Sequence, residues 1–304
     1  MPGREVVVIG VASSAGSHHA GQERAPAALR EAGLVRALRS AGVVVVDAGD
    51  MIQATFLPDE VGSTARSLDR VVEVAAATAD VVARVVGEGQ LPVILGGDCT
   101  ITVGVIAGAL RHHHDAGLIY FDGDADLSTP QATSSGVLDA MGLAHMLGLA
   151  DNALARLGPQ WPLLQDERVV LFGCDEGDPD SHSEAVLATR PALVRIPDRH
   201  VRADPAGTAR CALATLQRAT DHIVVHFDVD AVDSRDLPLA NFPHYGTGIT
   251  LDAAATALKV FLQAPELSAV VLTELNPSYE PSGQAVARYV HSVGGALATC
   301  LAGR

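Results

Sequence analysis

YFDGDADLSTP, residues 120–130, puts Asp122, Asp124 and Asp126 at every second position behind the apolar run GLIYF, 117–121. In an extended chain successive side chains alternate sides, so the three carboxylates point one way. Like charges do not crowd the end of a buried strand without compensation, and a hard cation supplies it. A calcium loop of the EF-hand type is excluded, because it needs glycine at position six and glutamate at twelve, where Leu127 and Thr133 stand. A merely solvated acidic turn fits poorly behind so apolar a strand. HFDVDAVDS, 226–234, repeats the pattern: Asp228 and Asp230 follow HIVVHF, with Asp233 three residues on. Two such strand ends in one chain argue for a polynuclear cation site bridged by carboxylates.

Similar runs recur along the chain, at 5–11, 42–49, 91–97, 117–123, 168–174, 192–197, 222–230 and 267–275. Unbroken β-branched runs suit strands buried on both faces. Alanine- and leucine-rich segments with helical period lie between them, at 26–41, 67–87, 102–114, 138–148, 204–220, 251–263 and 284–301. Strand and helix in alternation predict an α/β fold with a parallel sheet and helices on both faces. No divider rich in Pro, Gly or Ser and no internal repeat interrupts the 304 residues, which read as one domain, 1–304. Loops are expected at 13–23, 50–62, 129–136, 175–183 and 234–248. Ligands of open parallel sheets bind at the carboxyl ends of strands, where Asp98, Asp122, Asp175, Asp228 and Glu274 fall.

Apolar residues make up 48% and charged residues 19%, which excludes a disordered chain. The net charge of −15 argues against nucleic acid or an anionic membrane as partner and favours a small cationic substrate. Lys259 is the single lysine, a composition bias without functional weight. No apolar run is long enough to span a membrane. The opening MPGREVVVIGVASS reads as a first strand, not as a signal peptide. Cys99, Cys174, Cys211 and Cys300 are widely spaced, so no disulfide framework is expected, and the expected compartment is the cytoplasm.

Two further strand ends carry chemistry. GGDCT, 96–100, allows a tight turn, with Cys99 either an apolar filler or a ligand beside the aspartates. TELNP, 273–277, offers Glu274 to a cationic group or to a helix start.

The order GGDCT, DGDADLSTP, TSSGVLDAM, HFDVDAVDS, TELNP resembles the ureohydrolase family of arginase, agmatinase and formiminoglutamase. IGVASSAG followed by GQERAPAALREAGL is similar to that family's opening strand, loop and first helix. The resemblance covers nearly the whole chain. It implies a three-layer α/β/α fold around a mostly parallel eight-stranded sheet, and two divalent ions, usually manganese, sharing a hydroxide that attacks a guanidinium carbon. Asp122, Asp126, Asp228 and Asp230 match the family's metal-binding aspartates. Asp122 and Asp228 match its bridging positions, and Asp126 the position that also holds the hydroxide. Glu274 matches the glutamate that holds the guanidinium. Ser128, Ser135 and Asp178 match positions around the amino-acid end of the substrate; Ser128 replaces an asparagine.

Three departures stand out. Cys99 and Asp124 occupy the places of two histidine ligands, and Asp139 that of a histidine thought to relay protons. Both ligand replacements still bind metal, so the site is altered and not erased. Five aspartates and a thiolate total about −6 against about +4 from two ions, which makes bound water less acidic. Thiolate shifts preference from manganese toward zinc or nickel. A weaker nucleophile without a histidine acid suits an N-hydroxyguanidine, whose leaving amine needs less help. Cys99 and the lost relay also resemble the hydroxyarginine-hydrolysing branch of the family, which forms ornithine and hydroxyurea.

The favoured substrate is therefore N-omega-hydroxy-L-arginine. Another guanidino compound, and an inactive regulatory member of the fold, are the alternatives. A phosphotransferase of the haloacid dehalogenase type is excluded by Ala125 and Ala231 after the acidic pairs. Among the histidines, His112–His114 read as a solvated helix end, and His145 as packing or a substitute relay. His226, on the same side of its strand as Asp228, reads as a supporting group or replacement ligand. His18, His19 and His244 fall at the rim. A homo-oligomer is compatible with the resemblance.

Overall fold

Each of the eight apolar runs forms a strand in the computed structural model, which describes residues 4–58, 62–175 and 183–304. They are β1 (Val6–Ser13), β2 (Val45–Ala54), β3 (Leu91–Leu95), β4 (Gly117–Phe121), β5 (Val169–Phe172), β6 (Val194–Ile196), β7 (Ile223–Asp228) and β8 (Leu267–Thr273). They make one sheet in the order β2-β1-β3-β8-β7-β4-β5-β6. Every ladder is parallel, which tightens the expectation of a mostly parallel sheet. The antiparallel pairing of Ala240 with Leu275 is an isolated bridge. The chain jumps from β3 to β4, runs out to β6 at the edge, and returns with β7 and β8 to fill the gap. That return makes β3, β8, β7 and β4 neighbours. Their carboxyl ends bring Cys99, Glu274, Asp228 and Asp122 to one place.

Alternation along the strands sorts side chains onto two faces. Val6, Val8, Phe121, Phe172 and Phe227 enter one buried core. There they meet α1 (Ala25–Glu31), α2 (Leu34–Ser40), α8 (Pro205–Leu216), α9 (Leu251–Leu262), α10 (Gln284–Tyr289) and α11 (Gly295–Leu301). Val7, Ile9, Tyr120 and Val224 enter the other, against α3 (Leu68–Gly87), α4 (Ile101–Ala109) and α5 (Gly142–Met146). The result is three layers. Two short helices, α6 (Ser183–Ala188) and α7 (Asp198–Ala203), carry no long periodic signal and were not expected from the sequence.

Local chemistry explains most helix limits. Asp204 caps α8 by accepting from Gly207 N, and Thr250 caps α9 by accepting from Ala253 N. The expected helix at 26–41 is two, because the chain turns left-handed at Gly33 (φ 96°). The one expected at 284–301 is broken by a π turn at Val290–Gly294. β2 runs on to Ala54, shortening the loop expected from residue 50. Among the described residues, no helix is long and apolar enough to cross a membrane, and no disulfide joins Cys99, Cys174, Cys211 or Cys300.

Candidate metal centre

The centre is built at the turn after β3. A Cβ on Gly97 would lie 2.0 Å from the Ser13 carbonyl oxygen, so only glycine lets the chain turn this close to β1. Asp98 is buried and spent on the turn itself. It accepts from the Gly16 and Thr100 amides, each at 3.1 Å, and from the Ser13 hydroxyl at 3.3 Å. Cys99 is thereby turned inward. Its Sγ lies 2.7 Å from Asp228 Oδ2 and 3.8 Å from both Asp122 Oδ2 and His226 Nε2. His226 Nε2 lies 3.2 Å from Asp122 Oδ2, and its Nδ1 2.8 Å from Thr102 Oγ1. The ring stacks on Tyr120 at 4.2 Å between centroids. Burial lowers the imidazole to about 3, so it is neutral and able to ligate. The donor atoms of Cys99, Asp122, His226 and Asp228 all lie within 4.8 Å of one another.

Asp124, Asp230 and His244 form a second group on the same distance limit of 4.8 Å. His244 Nε2 lies 3.3 Å from Asp124 Oδ2, and Asp230 Oδ1 accepts from the Gly123 amide at 2.9 Å. Asp124 Oδ1 is buried without a hydrogen-bond partner, a defect that a cation repairs. Each DxD pair is thus split. Asp122 and Asp228 turn to Cys99, while Asp124 and Asp230 turn to His244.

Cys99, Asp139 and Glu274 make the third group. Asp139 Oδ1 accepts from the Cys99 amide at 2.7 Å. Burial first, and the Asp98 charge second, raise its carboxyl to about 8. Glu274 is pushed well up by burial and by Asp139, against which it lies. It takes a left-handed backbone (φ 63°), and both its oxygens accept from Gln22 Nε2 at 2.8 Å. No arginine or lysine pairs with Glu274 among the described residues.

The expected site residues do not all behave alike. Cys99, Asp122, Asp124, Asp228, Asp230 and Glu274 come together in the three donor groups. Asp126 lines the same cavity, but φ 47° breaks the extended run on which the one-sided reading rested. Its Oδ2 accepts from the Tyr120 hydroxyl, and it belongs to none of the three donor groups. Ser128 lies partly buried beyond it, with its amide bonded to the Ala140 carbonyl at 3.1 Å. Ser135 is exposed, its hydroxyl 3.3 Å from that of Thr133. Asp178 lies outside the described residues.

His145 is no relay: Nδ1 is 2.8 Å from the Met141 carbonyl and Nε2 2.9 Å from Asn152. His18 packs on Phe242 at 4.0 Å, and Phe242 lines the cavity. Sequence reading passed over Gln22 and Phe242. Gln22 meets a partner 252 positions away, and only the fold reveals that.

The enclosed space is small, about 30 Å³, room for roughly two waters. Around it the carboxyls of Asp122, Asp126, Asp228 and Glu274 are all shifted well up, with burial as the first cause and neighbouring negative charge behind it. Buried acids this close call for cations, and oxygen, nitrogen and sulfur donors in two groups fit two divalent ions.

The profile of the arginase family matches residues 4–298. The chain is 31% identical over 279 residues to an arginase of Brevibacillus brevis, covering 90% of this chain and 91% of that one. It is 30% identical over 282 residues to an arginase of Bacillus caldovelox, with the same coverage of 90% and 91%. The crystal structure of the Bacillus caldovelox arginase superimposes with a TM-score of 0.83 at 26% identity, covering 99% of both chains. That of Bacillus subtilis arginase gives 0.84 at 26% identity, covering 97% and 98%. Fold, strand-end chemistry and these relatives agree: the chain belongs to the arginase family and is a ureohydrolase of the binuclear-metal kind.

Proposed function

We propose that the protein hydrolyses the guanidino carbon of N-omega-hydroxy-L-arginine, giving ornithine and hydroxyurea. The observation that carries this reading is the company of Glu274. A buried carboxylate held by the neutral Gln22 keeps its acceptor capacity for a cation. The donor group it belongs to is completed by Asp139 and Cys99, with no imidazole in it. A planar, donor-rich cation matches that seat. Proton delivery to the leaving amine falls to Asp139, whose carboxyl sits at about 8. A carboxyl behind a thiol is a weaker relay than an exposed histidine. A less basic N-hydroxyguanidine asks less of it than arginine does.

Cys99, His226, Asp122 and Asp228, with Asp124, Asp230 and His244, would hold two divalent ions, which supply Lewis acidity and make water nucleophilic at neutral pH. Tyr120 holds Asp126 at the cavity wall, where its carboxylate can take a proton from attacking water. Phe242 gives the cavity an apolar wall. With metal-reloaded protein, kcat/KM is expected to be at least about tenfold higher for N-omega-hydroxy-L-arginine than for arginine or agmatine, a difference of about 1.4 kcal/mol in barrier. A preference for arginine overturns the substrate assignment. Turnover of neither, with both ions bound, overturns the hydrolase reading.

A further inference from the structure

The two ion positions are not equivalent. We propose that the centre is a mixed one: a closed thiolate–imidazole site, Cys99–His226–Asp122–Asp228, built for zinc, beside an open site, Asp124–Asp230–His244, built for a harder ion such as manganese.

The split is written into the backbone. In each DxD pair, the amide of the second aspartate donates to Oδ1 of the first. Asp124 N bonds Asp122 Oδ1 at 2.7 Å, and Asp230 N bonds Asp228 Oδ1 at 2.8 Å. That fixes the first carboxylates and turns both Oδ2 atoms toward Cys99 and His226. The second carboxylates face the other way, to His244. No donor residue is shared between the two groups.

The first set has one sulfur, one nitrogen and two oxygens, all buried. Four protein donors complete a tetrahedral shell and leave no open place. Five of the six contacts among the donor atoms run from 2.7 Å (Cys99 to Asp228) to 4.0 Å (His226 to Asp228), and the sixth, Asp122 to Asp228, is within 4.8 Å. Ligands about 2.0–2.3 Å from a tetrahedral zinc lie roughly 3.3–3.7 Å apart, so of those five the Cys99–Asp228 contact is the one that must open. Thr102 completes the design. Its hydroxyl, 2.8 Å from His226 Nδ1, can accept that proton and leave Nε2 for the ion. Tyr120 stacks the ring in place. A thiolate in such a set favours zinc over manganese.

The second set has three donors, is partly exposed, and keeps the buried, unpartnered Asp124 Oδ1. Three protein ligands with a free position is the pattern of a site that accepts water or substrate. His226, on β7, and His244, in the loop that follows it, therefore return to the centre the two imidazoles that Cys99 and Asp124 displaced, on different ions.

Cobalt titration of full-length, metal-stripped protein tests this directly, because thiolate ligation of cobalt gives a near-ultraviolet charge-transfer band. The band is expected to saturate at one equivalent, while total bound cobalt reaches two per chain. Cys99→Ser should abolish the band, and His226→Gln should weaken first-equivalent zinc binding by about 10–100-fold. His244→Ala should leave the band intact and reduce bound metal to one ion. Where Cys99→Ser fails to fold, His244→Ala and His226→Gln still decide. A band absent from the wild type, a band growing through both equivalents, or unchanged zinc affinity in His226→Gln overturns the proposal. These readouts need no turnover. If the ions bind as described and no guanidino compound is cleaved, the hydrolase reading fails and the mixed centre stands.

Discussion

At the residue scale, the contacts that matter most lie one step behind the ligands. Gln22 is fully buried and gives its amide nitrogen to both oxygens of Glu274. Replacing it with leucine keeps the volume and removes the donor, so Glu274 loses its fixed orientation. A hydrogen bond to a charged acceptor contributes about 1.5–3 kcal/mol, so Gln22→Leu should raise KM for the guanidino substrate about 10–100-fold. kcat should move little, and metal content should not change. Steady-state kinetics with metal analysis checks the split; a fall in kcat at constant KM contradicts it. Thr102→Val is nearly isosteric and unpins His226 alone. It should cost about 10–100-fold in zinc affinity, read by chelator competition. Neither residue was legible beforehand, because each acts through a partner more than a hundred positions away. The aspartate pairs were legible, since alternation at a strand end is local. Even there the alternation stops short of Asp126, where a left-handed turn replaces the extended chain while the residue still lines the cavity.

At the element scale, strands read better than helices. Eight apolar runs became eight strands because strands buried on both faces need little beyond continuous β-branched residues. The helical segments broke where backbone geometry, not hydrophobic period, decides: at Gly33 and at the π turn of Val290–Gly294. α4 shows a third case. Every residue in it is buried, so it has no polar face to reveal its orientation. Its fit depends on two glycines facing α3. A Cβ on Gly104 would lie 2.4 Å from the Ala75 carbonyl oxygen, and one on Gly108 2.5 Å from that of Ala79. Both obstacles are backbone and cannot rotate away. Gly108→Val should force α4 off α3 and destabilise the protein by about 1–3 kcal/mol. Denaturant unfolding measures that loss. Since α4 starts two residues after Cys99, zinc affinity should fall in the same variant. An unchanged midpoint would mean that the helices separate without cost.

At the scale of the whole molecule, the fold gathers acids where none would stay charged alone, in a chain already carrying a net −15. Folding therefore depends on pH through the centre. Burial, with neighbouring carboxylates behind it, raises Asp230 to about 6, and burial with the Asp98 charge raises Asp139 to about 8, both from an ordinary 3.8. A carboxyl raised in the folded state favours folding below its unfolded pKa, and that contribution is lost as pH climbs through the folded value. Metal-stripped protein should thus lose stability steadily between about pH 4 and 8. Metal reverses the sign. Its ligands must be deprotonated, so its stabilisation grows over the same range. The difference in Tm between metal-loaded and chelator-treated protein should therefore widen from pH 5 to pH 8. Taking the difference removes the general repulsion of an acidic chain, which both forms share to first order. A gap that narrows with rising pH would mean that the carboxylates are compensated by the protein itself, and that the cluster is not a cation site.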